Sequence, residues 1–468
     1  MFLKLSKFFL YASVFSVVVV LSSTFFPFIG GKYYFFRTAI ELALISLLLW
    51  WAFEARDGEL EKRFAKILDK PIFLAVSAFA LAFLLACVFA DDSAAAFWSN
   101  YERGEGGFQM LHYYAFFVLL TVVFERREEW TRMFQVSLVA AVGMIMYGVV
   151  ALLGVQGFIA APGSGDGGFW SRLFSNARFQ GSLGNPAYVA PYLIFSMFYA
   201  FYLWFMRKNG SRLLLNLGYG ALILFFLTFF VLSQTRGGFL GLVAGIAAFF
   251  AYVIFSAEQK IKKRAGAGLL ACIIVGGIIF AFRGELIAKN IPGSRFLNIS
   301  ITEQTAQTRF WTWGSAWQGF KEKPFFGWGP ENFSTVFDKY FDPRHFVPGK
   351  QTETWFDRAH SVVFDYLAET GLIGLISYLG MFAALYYQFF RRRNGEQKMQ
   401  SDPHVRLPAN AMMPARQSSI LRGLLFALPV AYFVQAILLF DVLPIYLNLF
   451  LFFAFALFEL SYIHERQS

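Results

Sequence analysis

Apolar residues occur in long runs along this chain, and charged residues are confined mainly to the segments between the runs. A run of about 20 apolar residues is long enough to form a helix that crosses a hydrocarbon core roughly 30 Å thick. The pattern therefore predicts an all-α polytopic membrane protein with about 12 transmembrane helices. The predicted spans are residues 8–30, 34–53, 71–90, 109–124, 131–154, 186–206, 213–233, 237–256, 266–282, 361–390, 420–440 and 444–462.

The composition agrees with this class of protein. Hydrophobic residues make up 57% of the chain and charged residues only 15%, an apolar content that a soluble protein could not bury. The two cysteines, Cys87 and Cys272, both fall inside apolar runs. We therefore expect two buried, inert thiols and neither a disulfide nor a metal pair.

The basic residues are arranged as a topology signal. With the N-terminus in the cytoplasm, 25 Lys and Arg residues fall on the cytoplasmic side and 6 in the short external segments. An excess of positive charge in short segments marks the cytoplasmic side of a membrane protein. The sequence thus predicts cytoplasmic N- and C-termini, and the net charge of +11 is no sign of nucleic-acid binding.

The chain divides into three parts by this reading. Residues 1–282 hold spans one to nine, 283–360 form a large external loop, and 361–468 hold the last three spans with a cytoplasmic linker at 391–419. The first apolar run resembles a signal peptide but lacks a small-residue cleavage site, so we predict an uncleaved first anchor. His404 lies in the polar linker, where we expect it to be solvated.

The external loop 283–360 is too long to be only a connection, since loops beyond about 12–15 residues are usually functional or disordered. Within it, Phe310, Trp313, Trp317 and Phe320 follow helical spacing, which predicts an amphipathic helix along the membrane surface. Arg309 lies four residues before Trp313, so the indole could stack on the guanidinium. The alternative is that Arg309 contacts a phospholipid phosphate.

Arg236 stands at a tight external turn, Ser-Gln-Thr-Arg-Gly-Gly (233–238), between two spans. Glycines let a ligand approach the backbone closely, and free N–H groups at a helix start favour anions. The turn is therefore a candidate anion site. The alternative is an arginine that reaches towards lipid headgroups.

His360 is the strongest candidate for chemistry because it lies at the external end of a predicted span, beside the candidate anion ligands. We expect the helix start and neighbouring Arg358 to disfavour the imidazolium and keep the ring able to accept a proton. The alternative is a hydrogen-bonded structural histidine.

Two further external segments carry polar residues. Asp91 and Asp92 could hold a divalent metal, although residues that cap a turn are the favoured interpretation, and Arg103 is a further candidate anion contact. The glycine-rich stretch at 163–168 is followed by no Gly-Lys-Ser/Thr, so it is not a phosphate-binding loop. It could be a flexible lid or a plain linker.

Three ordered motifs resemble the O-antigen ligase and polymerase superfamily. They are Ser-Gln-Thr-Arg-Gly-Gly (233–238), Thr-Arg-Phe-Trp-Thr-Trp followed by Pro-Phe-Phe-Gly-Trp-Gly-Pro-Glu-Asn-Phe (308–333), and Ala-His-Ser-Val-Val-Phe-Asp-Tyr-Leu-Ala-Glu-Thr-Gly-Leu-Ile-Gly (359–374). The upstream Gly-Ser-Leu-Gly-Asn-Pro (181–186) is also similar. The chain departs from the family at Ser361, where an asparagine is customary.

The resemblance implies an inverting glycosyltransferase of the bacterial inner membrane that acts on the external, periplasmic face. It would move a glycan from undecaprenyl diphosphate to a glycolipid, a growing glycan or a protein. His360 would be the general base, and Arg236 and Arg309 would bind the diphosphate. Beside the residues that the resemblance implies, Arg103, Arg358 and Trp313 are possible additional substrate contacts.

The resemblance implies no cofactor and no metal, and the expected partners are the lipid-linked donor, the acceptor and membrane lipids. A polymerase of lipid-linked repeat units is the alternative within the same class. A flippase for lipid-linked glycans is the alternative from another class. A transporter is expected to have repeated halves and polar residues in mid-membrane, and this sequence shows no internal repeat.

Overall fold

The computed structural model describes residues 1–100, 103–160, 168–174, 178–207, 213–288, 294–297, 303–346, 354–401 and 415–461. Regular structure within these ranges is entirely helical. The predicted class, an all-α polytopic membrane protein, is therefore confirmed.

The α-helices of the described ranges are, in chain order, α1 (Phe2–Ser13), α2 (Gly30–Phe53), α3 (Glu59–Ala65), α4 (Pro71–Val88), α5 (Ser93–Trp98), α6 (Gly107–Val123), α7 (Arg127–Leu152), α8 (Phe169–Leu173), α9 (Pro186–Met206), α10 (Leu213–Leu232), α11 (Arg236–Ser256), α12 (Gln259–Ala281), α13 (Arg283–Ala288), α14 (Gln304–Glu322), α15 (Phe333–Lys339), α16 (Val362–Glu369), α17 (Gly371–Ser401), α18 (Ala415–Ala436) and α19 (Leu443–Ser461). Short 3-10 turns lie at Val14–Val18, Gly181–Leu183, Ser294–Leu297 and Pro343–His345.

Ten of these helices are long and apolar enough to cross a membrane: α2, α4, α7, α9, α10, α11, α12, α17, α18 and α19. The apolar helix α6 is somewhat shorter. Together they correspond in order to predicted spans two to twelve. The boundaries follow local signals, as in α9, where the Asn185 side chain caps the helix and Pro186 opens it.

The prediction of one continuous helix for the first span, residues 8–30, is wrong. Helix α1 ends at Ser13, a 3-10 turn follows, and the chain is extended at Val19 before α2 begins at Gly30. A β-branched run and then Ser, Thr and Pro residues disfavour helix here. The ammonium group of Lys32 donates to the Val19 carbonyl at 2.6 Å, which satisfies backbone left open by the break.

Helix α1 nevertheless runs alongside α2. The N-terminal amino group pairs with Glu54, at the end of α2, at 2.6 Å, and the Ser6 hydroxyl donates to the Ala43 carbonyl at 2.9 Å. The N-terminus therefore lies at the same end of this helix pair as the basic segment that follows residue 54.

The predicted span 361–390 is also divided. Helix α16 ends at Glu369, and α17 starts at Gly371, whose φ of +64° belongs to the left-handed region. A Cβ at Gly371 would lie 2.4 Å from the Phe325 carbonyl carbon, so the turn requires glycine. Helix α17 then continues past the predicted linker start at 391 to Ser401, and residues 402–414, with His404, lie outside the described residues.

The chain forms two compact units. The first comprises residues 1–129, 300–405 and 436–468, and the second comprises residues 130–299 and 406–435. Residues 283–299 of the predicted external loop belong to the second unit, and residues 300–360 belong to the first.

In the first unit, α1 packs on α2, α4 on α17 and α6 on α19, while α14 lies against α15 and α16. The part of this unit that contains α14, α15 and α16 has its own apolar core, which is formed by Ala316, Trp328, Phe333, Val336, Phe337, Phe356, Ala359 and Ala368. This core fixes α14 relative to the segment that carries His360.

In the second unit, α9 packs against α10 and α11, and α11 packs against α12. A Cβ at Gly238 would lie 2.5 Å from the Ala190 Cβ, so glycine allows the close approach of α11 to α9. The expectation of two buried thiols is half right: Cys87 is buried, but Cys272 is exposed on α12.

Candidate active site

His360 lies in the segment between the apolar core and α16, with its ring half-buried between two phenylalanines. The ring meets Phe356 and Phe440 edge to face, with centroids 5.3 and 5.1 Å apart. Its φ of +54° is left-handed, a conformation that a non-glycine residue keeps only where its surroundings hold it. Helix α16 begins two residues later, at Val362, so the prediction that His360 opens the helix is wrong.

The hydrogen bonding of the ring defines which nitrogen can accept a proton. Nδ1 lies 3.1 Å from the Arg358 carbonyl oxygen. Because a carbonyl oxygen only accepts, the proton of the neutral ring is assigned to Nδ1, and the lone pair is left on Nε2.

The ring is held in its neutral form. The pKa of His360 is lowered to about 4, mainly because the ring is buried away from water and then because of the positive charge of Arg309. Arg103 acts in the same direction, whereas the hydrogen bond to the Arg358 backbone raises the pKa. A neutral imidazole was predicted correctly, but its cause was not, because the guanidinium of Arg358 is not the neighbour responsible.

The peptide groups before His360 are held from two sides. The Ala359 N–H donates to the Asp365 carboxylate at 2.6 Å, and the Trp313 indole N–H donates to the Ala359 carbonyl at 2.9 Å. The Trp313 ring also stacks on Phe364, with centroids 5.0 Å apart. Helices α14 and α16 thus hold the backbone that presents the imidazole, and the stacking partner shown for Trp313 is Phe364.

Arg358 is buried in an ion-pair cluster. Its guanidinium donates to Glu369 at 2.8 Å and also to Glu331, two acidic residues from different segments. A buried cation satisfied in this way cross-links the chain, and removing one partner would leave a charge without compensation. The geometry therefore favours a structural role for Arg358 over the predicted substrate contact.

Arg103 makes a bidentate pair with Asp357. Its Nε and terminal nitrogen lie 2.7 and 2.8 Å from the two carboxylate oxygens, and its guanidinium lies 5.1 Å from the centre of the Phe440 ring. Burial raises the pKa of Asp357, but the bonds from Arg103 outweigh it and hold the pKa below its usual value. Arg103 therefore braces the segment next to His360.

Helix α14 carries Arg309 and presents two different faces. The buried face is formed by small residues, Thr308, Thr312, Ser315, Ala316 and Gly319. Of the aromatic residues predicted as the apolar face, Phe310 and Trp317 are exposed by 45% and 47%, whereas Trp313 packs against the apolar core. Half-buried Arg309 on this helix lies close enough to His360 to lower the pKa of the imidazole.

Arg236 belongs to the second unit and is the first residue of α11. Its Nε donates to the Arg295 carbonyl at 3.1 Å, and Phe239 stacks on Phe296 with centroids 4.9 Å apart. The turn at Ser294–Leu297 therefore covers the start of α11. Gly238 serves the packing against α9, so its presence needs no ligand.

The two aspartates considered as a metal site have protein partners. The Asp92 carboxylate caps α5 by accepting from the Ala95 N–H at 2.9 Å, and Asp91 pairs with Lys323 at 2.8 Å. The interpretation as turn-capping residues is thus confirmed for Asp92. Within the described residues, no group of three or more His, Cys, Asp or Glu side chains is arranged to hold a metal ion.

Residues 220–379 match the family model of O-antigen ligase. The match confirms the resemblance inferred from the motifs and includes Arg236, Arg309 and His360. The family is one of membrane glycosyltransferases of the O-antigen ligase and polymerase type. No curated protein matches the chain.

Four acidic residues that shape this site were not predicted: Glu331, Asp357, Asp365 and Glu369. Asp365 and Glu369 are four residues apart in a mostly apolar stretch, and such spacing puts both carboxylates on one face of a helix. That signal could have identified them as buried partners of a cation.

Proposed function

We propose that the chain transfers a glycan from undecaprenyl diphosphate to an acceptor hydroxyl on the external face of the bacterial inner membrane. The observation that carries this proposal is the neutral, half-buried His360 with its Nε2 lone pair unprotonated, next to Arg309 in a segment that matches O-antigen ligase. A base and a cation together suit a reaction that removes a proton and releases an anion.

In the proposed reaction, the acceptor oxygen attacks the anomeric carbon of the donor glycan. The bond from that carbon to the phosphate oxygen breaks, and undecaprenyl diphosphate leaves with the bonding electrons. The hydroxyl proton passes to Nε2 of His360. Direct displacement inverts the anomeric centre, and no ATP is needed because the phosphate ester is already an activated leaving group.

Arg309 and Arg236 are the proposed ligands of the diphosphate. A guanidinium offers planar, bidentate donors to phosphate oxygens and remains charged at every relevant pH. Helix α11 begins at Arg236, so the positive end of its dipole lies beside the guanidinium. We propose that these groups stabilise the charge on the leaving group without a metal.

Arg309 also links donor binding to the strength of the base. In the free protein its charge lowers the pKa of His360. A diphosphate bound at Arg309 would offset that charge, so donor binding would raise the pKa and make Nε2 a stronger proton acceptor.

The pH dependence of transfer tests this link. Because the base acts when neutral, activity should be lost as the pH falls through the pKa of His360. The pH profile of kcat/KM reports the free protein, and we expect its acid limb near pH 4. The profile of kcat reports the donor complex, and we expect its acid limb at higher pH. An acid limb of kcat/KM near the ordinary histidine pKa would show that the free-protein imidazole is not perturbed.

Trp313 tests the role of the backbone support. In Trp313→Phe the aromatic contact with Phe364 can persist, but the hydrogen bond to the Ala359 carbonyl is lost. We expect kcat to fall about fivefold with little change in the donor KM, since one hydrogen bond is typically worth about 1 kcal/mol. Trp317→Phe, an exposed residue of the same helix, is the matched control. A raised donor KM with normal kcat would instead support the predicted substrate contact of Trp313.

The proposed orientation rests on the excess of basic residues in alternate segments. Reporter fusions after residues 65, 210, 262 and 400 are expected to give a cytoplasmic signal, and fusions after residues 100, 165 and 330 an external one. A cytoplasmic signal at residue 330 would contradict the account, because the proposed chemistry would then face the wrong side.

The acceptor class is open to a genetic experiment. Deleting the gene should remove a glycan from one surface glycoconjugate. Accumulation of complete lipid-linked oligosaccharide would support a ligase, whereas acceptors with single repeat units would support a polymerase. Loss of glycan from a protein would support protein O-glycosylation.

A further inference from the structure

Two motifs of the second unit are joined by hydrogen bonds. Arg178, three residues before the Gly-Ser-Leu-Gly-Asn-Pro motif, donates from Nε to the Ser233 carbonyl at 3.0 Å and from a terminal nitrogen to the Thr235 hydroxyl at 2.9 Å. The next residue, Phe179, donates its N–H to the Leu232 carbonyl at 3.0 Å. The segment with Arg178 therefore lies along the turn that precedes Arg236.

That turn needs support. Gln234 has a φ of +49°, a left-handed conformation that costs a non-glycine residue free energy. The bonds from Arg178 reach the residues on either side of it, Ser233 and Thr235. The Thr235 hydroxyl also donates to the Pro186 carbonyl at 2.9 Å, so it connects Arg178 to the end of the upstream motif.

We infer that Arg178 is a positioning residue that holds the turn 233–235 and thereby sets the direction of Arg236. This inference rests on the proposed function, in which Arg236 binds the diphosphate. The two guanidinium donors of Arg178 lie in one plane. They bind the Ser233 carbonyl and the Thr235 hydroxyl, one on each side of Gln234. A lysine has a single charged nitrogen on a flexible stem and cannot reproduce this geometry.

The test measures binding of undecaprenyl diphosphate to the purified full-length protein in detergent or nanodiscs, together with its melting temperature. The variants are Arg178→Ala, Arg236→Ala and the double variant, with Thr235→Val as an independent way to remove one bond. Arg172→Ala is the matched control, since this arginine of the same external segment donates to the Leu152 carbonyl and not to the turn.

We expect Arg178→Ala and Thr235→Val to weaken binding about tenfold and about threefold, with Arg178→Lys close to Arg178→Ala. Because Arg178 acts through Arg236, the double variant should bind no more weakly than Arg236→Ala alone. Arg172→Ala should bind like the unchanged protein. If Arg178→Ala does not fold, the inference is tested with Thr235→Val instead. Its binding is compared alone and in the double variant with Arg236→Ala.

Each contrary outcome has a separate meaning. If Arg236→Ala weakens binding but neither Arg178→Ala nor Thr235→Val does, the positioning role is overturned while the diphosphate role stands. If Arg178→Ala and Arg236→Ala weaken binding additively, Arg178 contacts the ligand itself and the inference is wrong. If Arg236→Ala binds normally, the proposed diphosphate role of Arg236 fails, and with it any positioning through that residue.

Discussion

Replacing His360 with alanine is expected to slow glycan transfer by a factor of about 10²–10⁴, the usual cost of losing a general base. The structure gives the physical reason, since the Nδ1 bond to the Arg358 carbonyl leaves Nε2 as the proton acceptor. The rate is measured with a lipid-linked donor and purified protein. Protein level and membrane insertion should stay unchanged, because the variant keeps Phe356, Phe440 and the hydrogen bonds that hold the backbone at Ala359.

His404→Ala is the control for this prediction. It removes a histidine of the predicted linker, well away in sequence from the family motifs, and should transfer at the unchanged rate. Near-normal transfer by a well-expressed His360→Ala variant would show that the base lies elsewhere or that none is needed.

The second large effect is expected at the two arginines proposed to bind the diphosphate. Arg236→Lys and Arg309→Lys should each lose most of their activity, and the alanine variants should lose more. A lysine keeps the charge but cannot make the bidentate contact with phosphate oxygens. Loss of one such charge-assisted donor at a developing anion typically costs about 10²–10³-fold in rate. Arg283→Lys, at the start of α13, is a matched control outside the motifs.

The same assay with and without EDTA separates this account from a metal mechanism. We expect activity to be unaffected by the chelator and by Asp91→Ala, whose side chain pairs with Lys323. Strong inhibition by EDTA, reversed by Mg²⁺ or Mn²⁺, combined with tolerance of Arg236→Lys, would overturn the metal-free mechanism. It would leave the family match untouched.

Most of the membrane architecture can be predicted from the sequence because hydrocarbon imposes one length and one composition on every span. The ends of α9 at Pro186 and Met206 coincide with the predicted boundaries. The first span could not be placed in this way. Hydropathy does not distinguish a continuous helix from an apolar run that stops at Ser13 and turns before Gly30.

The break between α16 and α17 depends on contacts that are distant in sequence. The Leu372 N–H donates to the Pro324 carbonyl at 2.8 Å, and Gly371 packs on the backbone at Phe325. A pattern of apolar residues along one segment contains no information on which other segment will pack against it. The sequence therefore predicted one span where the structure has a short helix, a turn and a span.

The candidate site could likewise be predicted only in part from the sequence. His360 and Arg309 could be identified because polar residues stand out at the ends of apolar runs and within motifs. The role of Arg358 could not, because its partners Glu331 and Glu369 lie in separate segments and only the fold shows that they meet. The cause of the neutral imidazole was misassigned for the same reason, since burial and Arg309 are features of the folded protein.

The most direct test of the central claim uses the purified protein, an undecaprenyl-diphosphate-linked glycan and an acceptor, with no nucleotide added. Glycan transfer and release of undecaprenyl diphosphate are measured together. The account predicts one released diphosphate for every glycan transferred, with both reactions absent in His360→Ala. The account would be contradicted if the protein, placed in liposomes, moved the lipid-linked glycan across the membrane without any transfer or release. That result would support a flippase.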